Sequence, residues 1–93
     1  MMLKILTPGD AVAEIEVEWA SLPGEKGRFT AMQGHDVLLT TLVPGVVRCC
    51  APARRGEGAV EEFMIERGMA EVTRDSIIVC VSRAERAERP KGG

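Results

Sequence analysis

A chain of 93 residues, 45% of them hydrophobic, buries roughly 60 to 65% of the surface its unfolded form exposes, enough for one small core and one domain. Twelve Lys and Arg against 14 Asp and Glu give a formal charge of −2, so no basic field exists to draw nucleic-acid phosphates or anionic lipid. The longest apolar runs, such as IIVCV at 77–81, fall far short of the roughly 20 residues of a membrane span, and the first residues lack the basic-then-apolar plan of a signal peptide. The expectations are a soluble, intracellular chain with no nucleic acid and no direct membrane insertion.

In chain order, MLKIL at 2–6 is a weakly alternating strand, and AEIEVEW at 13–19 a strong one. In the latter Glu14, Glu16 and Glu18 form a wet face, while Ile15, Val17 and Trp19 form a core face. Residues 22–40, LPGEKGRFTAMQGHDVLLT, bring three glycines and the single histidine. Short runs at 45–50, 59–65, 69–73 and 76–81 follow, separated by turn residues at Pro44, Gly45, Gly56, Gly58, Gly68 and Asp75. CAPARRGEG at 50–58 reads as a long polar hairpin tip, mobile and dispensable. Seven or eight short strands suggest a β-sandwich or barrel. Only SRAERAERPKGG at 82–93 changes character: Glu85 stands four residues before Arg89, a helix spacing, and Pro90, Gly92 and Gly93 stop any helix after about two turns. No internal repeat and no linker to a second domain is visible.

The chemistry-bearing residues are few. His35 beside Asp36 invites an acid/base pair, but adjacent residues rarely form one, and no motif supplies a nucleophile. The Gly-x-Ser-x-Gly elbow, the phosphate-binding glycine loops and the common zinc spacings are absent. Cys49 and Cys50, adjacent on a strand, point to opposite faces and cannot easily serve one metal. Cys80 within SIIVCVS reads as a small buried apolar side chain. Trp19, Phe29 and Phe63 with an acidic balance make a poor platform for single-stranded nucleic acid. No metal, cofactor or catalytic residue is expected, and a protein-interaction module remains.

LPGEKGRFTAMQGHDVLLTTLVPGVVR at 22–48, followed by ERGMAEVTRDSIIVCVSRAERAE at 66–88, resembles the epsilon subunit of the F-type rotary ATP synthase. With the opening LKILTPGDAVAEIEVEWASLPG, the likeness covers residues 3 to about 88. Thr30 stands where the family usually has glycine, Gln33 and Val37 where it has proline, and Arg67 where it has the first of two glycines. The resemblance implies an all-β fold: a flattened β-sandwich or barrel of about 8 to 10 short strands over residues 1–83. A short helical stub or disordered tail over 84–93 would stand where the family's C-terminal helical hairpin begins.

The same resemblance implies a function. The family's sandwich is a rotor part of the central stalk, placed between the gamma subunit and the c-ring, and it couples their rotation to ATP synthesis and hydrolysis without making or breaking a bond. It implies a peripheral position on the cytoplasmic face of the bacterial inner membrane, proton or sodium transport by the complex as a whole, and neither helix-extension inhibition nor ATP sensing. His35, Leu38, Leu39, Thr40 and Leu42 match the family's gamma-contact segment. Glu25, Lys26 and Arg28 match its c-ring-facing loop, so that 22–40 reads as two partner-facing loops and the start of a strand. Each leucine is as readily a core residue, and the charged turn as readily solvated. A β-sandwich adaptor for some other protein is the alternative function.

Overall fold

A computed structural model of the chain describes residues 1–52 and 59–87. The described residues form ten strands and no helix: β1 Met2–Thr7, β2 Asp10–Glu16, β3 Trp19–Gly24, β4 Gly27–Met32, β5 Leu38–Leu42, β6 Gly45–Cys50, β7 Val60–Ile65, β8 Gly68–Val72, β9 Ser76–Val81 and β10 Ala84–Arg86. They make one continuous sheet in the order β10-β7-β6-β3-β5-β8-β9-β1-β2, with β4 paired to β3. Neighbours are antiparallel except β1 and β9, which run parallel. The sheet folds back on itself at β3 and β5, where a single pair, Gly24 with Leu42, carries the ladder round. The result is an all-β, nearly closed flattened barrel, as the sequence led us to expect.

Alternation builds the core. Leu3 and Ile5 of β1, Val72 and Ala70 of β8, and Ile77 and Val79 of β9 are buried on one layer; Ala20, Leu22, Val47, Cys49 and Phe63 are buried on the other. At roughly 25 cal/mol per Å² of apolar surface removed from water, these side chains supply most of the drive to fold. Neighbouring strands pair with their inward residues in line, for example Leu42 with Gly68 and Gly68 with Val81. At Gly68 a Cβ would lie 2.1 Å from the Cys80 carbonyl oxygen and 2.7 Å from the Val81 Cα. Only glycine permits β8 and β9 to come this close. Arg67 stands before it, but the glycine that the packing requires is kept.

Four sequence expectations are corrected. The strand foreseen over 13–19 breaks at Val17 and Glu18, whose backbone N–H groups donate to the Met1 and Cys50 carbonyls at 2.8 and 2.7 Å. There the chain leaves β1 for β6 and changes layers. The alternation does not survive the corner: Val17 is buried, but in β3 the inward residues are Ala20 and Leu22, so that Trp19, opposite Cys50, is half-buried on the other face and not on the core face expected for it. Residues 22–24 and 27–32, foreseen as loop, are strand, joined by a tight turn at Glu25 and Lys26.

Cys80 is exposed, since its position in β9 alternates with the buried Ile77, Val79 and Val81. Finally, Ala84–Arg86 is not helical: it pairs antiparallel with β7, Ala84 opposite Ile65 and Arg86 opposite Phe63. A two-turn helix without an apolar stripe has little to hold it, whereas the strand gives the β7 backbone its partners. The expected tail beyond Ala87 and the hairpin tip at 53–58 lie outside the described residues. The base of that tip is closed by Ala51 N–H donating to the Ala59 carbonyl at 2.9 Å.

Candidate functional site

The matched residues separate onto opposite ends of the barrel. His35 lies in the 33–37 connection before β5, at the end that also carries the β8–β9 turn. Gly34, with φ of +87°, donates its N–H to the Arg74 carbonyl at 2.7 Å, and His35 N–H donates to the Met32 carbonyl at 3.0 Å. The connection is thus tied to both layers. The His35 imidazole Nδ1–H donates to the Asp36 backbone carbonyl at 2.7 Å, not to its carboxylate, which leaves Nε2 as an acceptor at the surface. The ring stands 6.5 Å from that of Phe29 at a tilt of 41°. This geometry orients a hydrogen-bonding edge and assembles no acid/base pair.

The period of β5 divides the other matched residues. Leu38, Thr40 and Leu42 face inward, opposite Val72, Ala70 and Gly68; Leu38 packs against the core and Leu42 has no exposed surface at all. Leu39 points outward and is 67% exposed. Thr41, on the same outer face, is opposite Met69. Leu39 is therefore the one leucine of the three with its side chain free for a partner, and Leu42 serves packing.

Around Leu39 the structure assembles a surface that the sequence reading missed. Thr41 of β5, Met69 of β8, Cys80 of β9 and Leu6 of β1 stand in register as one cross-strand row on the outer face. Ile78 lies in the adjacent row, opposite Glu71 and Lys4. Met32 and Val37, both exposed, extend the apolar character toward His35. The row runs out into a shallow groove of about 400 Å³ between the β1–β2 turn and the β8–β9 pair, with Leu6, Pro8, Cys80 and Val81 among its walls and Arg67 at its margin. A strand exposed on its outer face ordinarily carries polar residues there. The signal was present in IIVCV, a run with no polar position on either face.

Glu25, Lys26 and Arg28 lie at the opposite end. Glu25 and Lys26 form the exposed β3–β4 turn, held by Glu25 N–H donating to the Thr41 carbonyl at 2.9 Å. Arg28 is spoken for: its guanidinium donates to Ser21 Oγ at 2.9 Å and to the Val46 carbonyl at 2.7 Å. It braces β4 across β3 to β6, and the turn presents Glu25 and Lys26 outward. Among the described residues no group of three or more His, Cys, Asp or Glu side chains is placed to hold a metal, and no helix is long and apolar enough to cross a membrane.

Comparison with known proteins gives this arrangement a setting. Residues 1–87 match the family model described as ATP synthase, Delta/Epsilon chain, beta-sandwich domain. Similar curated proteins are the ATP synthase epsilon chains of Moorella thermoacetica, 35% identical over 86 residues, and of Ruegeria sp. (strain TM1040), 32% identical over 84 residues. Those alignments take in 92% and 90% of this chain but 61% and 58% of the relatives, so the chain spans about three-fifths of their length.

Among solved structures, a chain of the Euglena gracilis mitochondrial ATP synthase, in an assembly of OSCP, F1 and c-ring, superposes with a TM-score of 0.75 at 16% identity, covering 92% of this chain and 52% of that one. A chain of the Tetrahymena thermophila mitochondrial ATP synthase central stalk and c-ring superposes with a TM-score of 0.69 at 13% identity, covering 90% and 64%. At these identities the superpositions speak for the fold, while the family match speaks for descent. The chain belongs to the ATP synthase delta/epsilon family, as the β-sandwich domain of an epsilon-type subunit.

Proposed function

We propose that this domain is a non-catalytic rotor element of a membrane-associated ATP synthase, in which it joins the gamma subunit to the c-ring as a peripheral part of the central stalk. The observation that carries this reading is the family match over residues 1–87. Two features of the molecule support it. The outer face of β5, with Leu39, Thr41 and Met69 flanked by Val37 and His35, offers an apolar surface with a hydrogen-bonding edge, suited to the gamma subunit. The Glu25–Lys26 turn, at the opposite end, offers a small charged tip suited to the short polar loops of a ring; such a contact is salt-sensitive.

Torque transmission needs stiffness, and a close-packed barrel resists deformation. No bond-making chemistry is assigned to any residue. Coupling is tested directly by adding this chain to a synthase stripped of its own epsilon subunit and reconstituted in vesicles. The reading expects ion-gradient-driven ATP synthesis to recover in proportion to chain bound. Binding to the stripped complex without recovery of synthesis would favour a plain docking module, and no association with the gamma-containing head would favour an adaptor for another protein.

A further inference from the structure

The last strand differs from the others in what holds it. β10 has three residues, pairs on one side with β7, and contributes only Ala84 to the core. Its ends are fixed by two backbone bonds: Glu66 N–H donates to the Arg83 carbonyl and Ala87 N–H to the Glu62 carbonyl, both at 2.9 Å. Arg86 adds a side-chain attachment. It turns to the inner face, where it forms an ion pair with Glu61 and places its guanidinium 5.1 Å from the centre of the Phe63 ring. Glu61, Phe63, Val47 and Cys49 share that inner face, Cys49 opposite Glu61 and Val47 opposite Phe63. A charged pair therefore roofs the buried Phe63 and Cys49 at the rim of the barrel. Burial pushes the Cys49 thiol up to about 11, with the Arg86 charge pulling the other way and the neighbouring Cys50 adding to the rise, which places Arg86 within electrostatic reach of the sulfur.

We propose that β10 is a latch pinned by Arg86, which opens while the rest of the barrel stays folded, and that this local opening governs access to Phe63 and Cys49. A segment with little buried apolar surface and a partly exposed ion pair belongs to the low-stability end of a structure, where sub-global opening occurs. The pin is electrostatic on one side and cation–π on the other, so it weakens with salt and with loss of the planar guanidinium.

The test uses the full chain carrying Cys50→Ser and Cys80→Ser, which leaves Cys49 as the sole thiol. Its alkylation by iodoacetamide is followed by mass spectrometry, alongside urea unfolding of the same protein. The rate is expected to be nearly flat at low urea, because local opening exposes little surface. Arg86→Ala is expected to raise it by up to about fivefold, in step with its small loss of global stability because the pin is absent from the open and the unfolded chain alike, and to leave the rate flat in urea.

Removing the arginine also removes a charge that favours thiolate, which on its own would slow alkylation, so acceleration reports opening. Glu61→Gln is expected to accelerate labelling and to abolish the response to salt at about 1 M; Arg86→Lys is expected to fall between Arg86→Ala and the parent. A labelling rate that climbs with urea along the full unfolding slope, or that is unchanged in Arg86→Ala, would overturn the latch.

Discussion

The two ends of the barrel are closed by different physics. At the end carrying the Glu25–Lys26 turn, main-chain contact sets the closure: Gly68 lets β8 lie against β9 with no room for a methyl group, and the Arg28 side chain adds a brace from β4 to the Val46 carbonyl of β6. At the end carrying His35, side chains and charges close it. The Met1 ammonium bonds Glu16 Oε2 at 2.6 Å, Thr73 Oγ1 bonds the Ser76 hydroxyl at 2.7 Å, and Arg86 pairs with Glu61. Backbone packing is unforgiving and indifferent to salt, whereas exposed ion pairs contribute little and are screened. One end is thus rigid by construction, and the other is adjustable.

Substitutions sharpen this contrast. The largest effect is expected at Gly68→Ala, where the new methyl meets main chain and not a movable side chain. A loss of about 3 kcal/mol in urea unfolding, unchanged by salt, is the expected result. Next comes the alkaline limb of stability. Cys49, buried in the layer beneath Arg86, has its thiol raised from 9.0 to about 11, chiefly by burial. In the unfolded chain the thiol loses its proton first, so the folded form binds more protons above pH 9. The contribution of Cys49 to stability is complete below pH 9 and is lost as pH rises toward 11, by about 2 kcal/mol at the upper limit. Cys49→Ala should flatten that decline in a pH series of urea midpoints. Arg28→Ala, which removes two hydrogen bonds from a brace exposed to water, is expected to cost about 1 kcal/mol. Smallest is the global effect of Arg86→Ala, under about 1 kcal/mol and smaller still at high salt. A salt-sensitive Gly68→Ala, or an Arg86→Ala as costly as Gly68→Ala, would erase the distinction between the ends.

How much of this the sequence disclosed follows from where local pattern and tertiary context agree. The runs at 45–50 and 76–81 are apolar, bounded by turn residues, and appear as strands at those bounds. AEIEVEW alternates strictly, yet serves two strands, because alternation records which face is buried and not which neighbour is paired. The same limit applies at β5. The motif marks 35–42 as a unit, but only period 2 together with the known partner strand tells that Leu39 and Thr41 face out while Leu38, Thr40 and Leu42 face in. Ala84–Arg86 has helix-forming residues and forms a strand, since the open edge of β7 and the inward Glu61 outweigh a weak intrinsic preference. Cys80 was expected inside because cysteine is usually buried; the phase of β9 places it in the outer row with Met69 and Leu6.

We propose that the outer face of β5 docks the gamma subunit, while the Glu25–Lys26 turn at the other end does not. Calorimetric titration of the chain, of Leu39→Lys and of Lys26→Glu into epsilon-depleted catalytic head containing gamma tests it most directly. Leu39 is exposed and opposite Glu71, so a lysine there leaves the fold intact while placing a charge in the apolar face. The account predicts saturable binding of one chain per head, weakened at least tenfold by Leu39→Lys and unchanged by Lys26→Glu. Equal binding by Leu39→Lys and the parent chain, or loss of binding in Lys26→Glu alone, would contradict it.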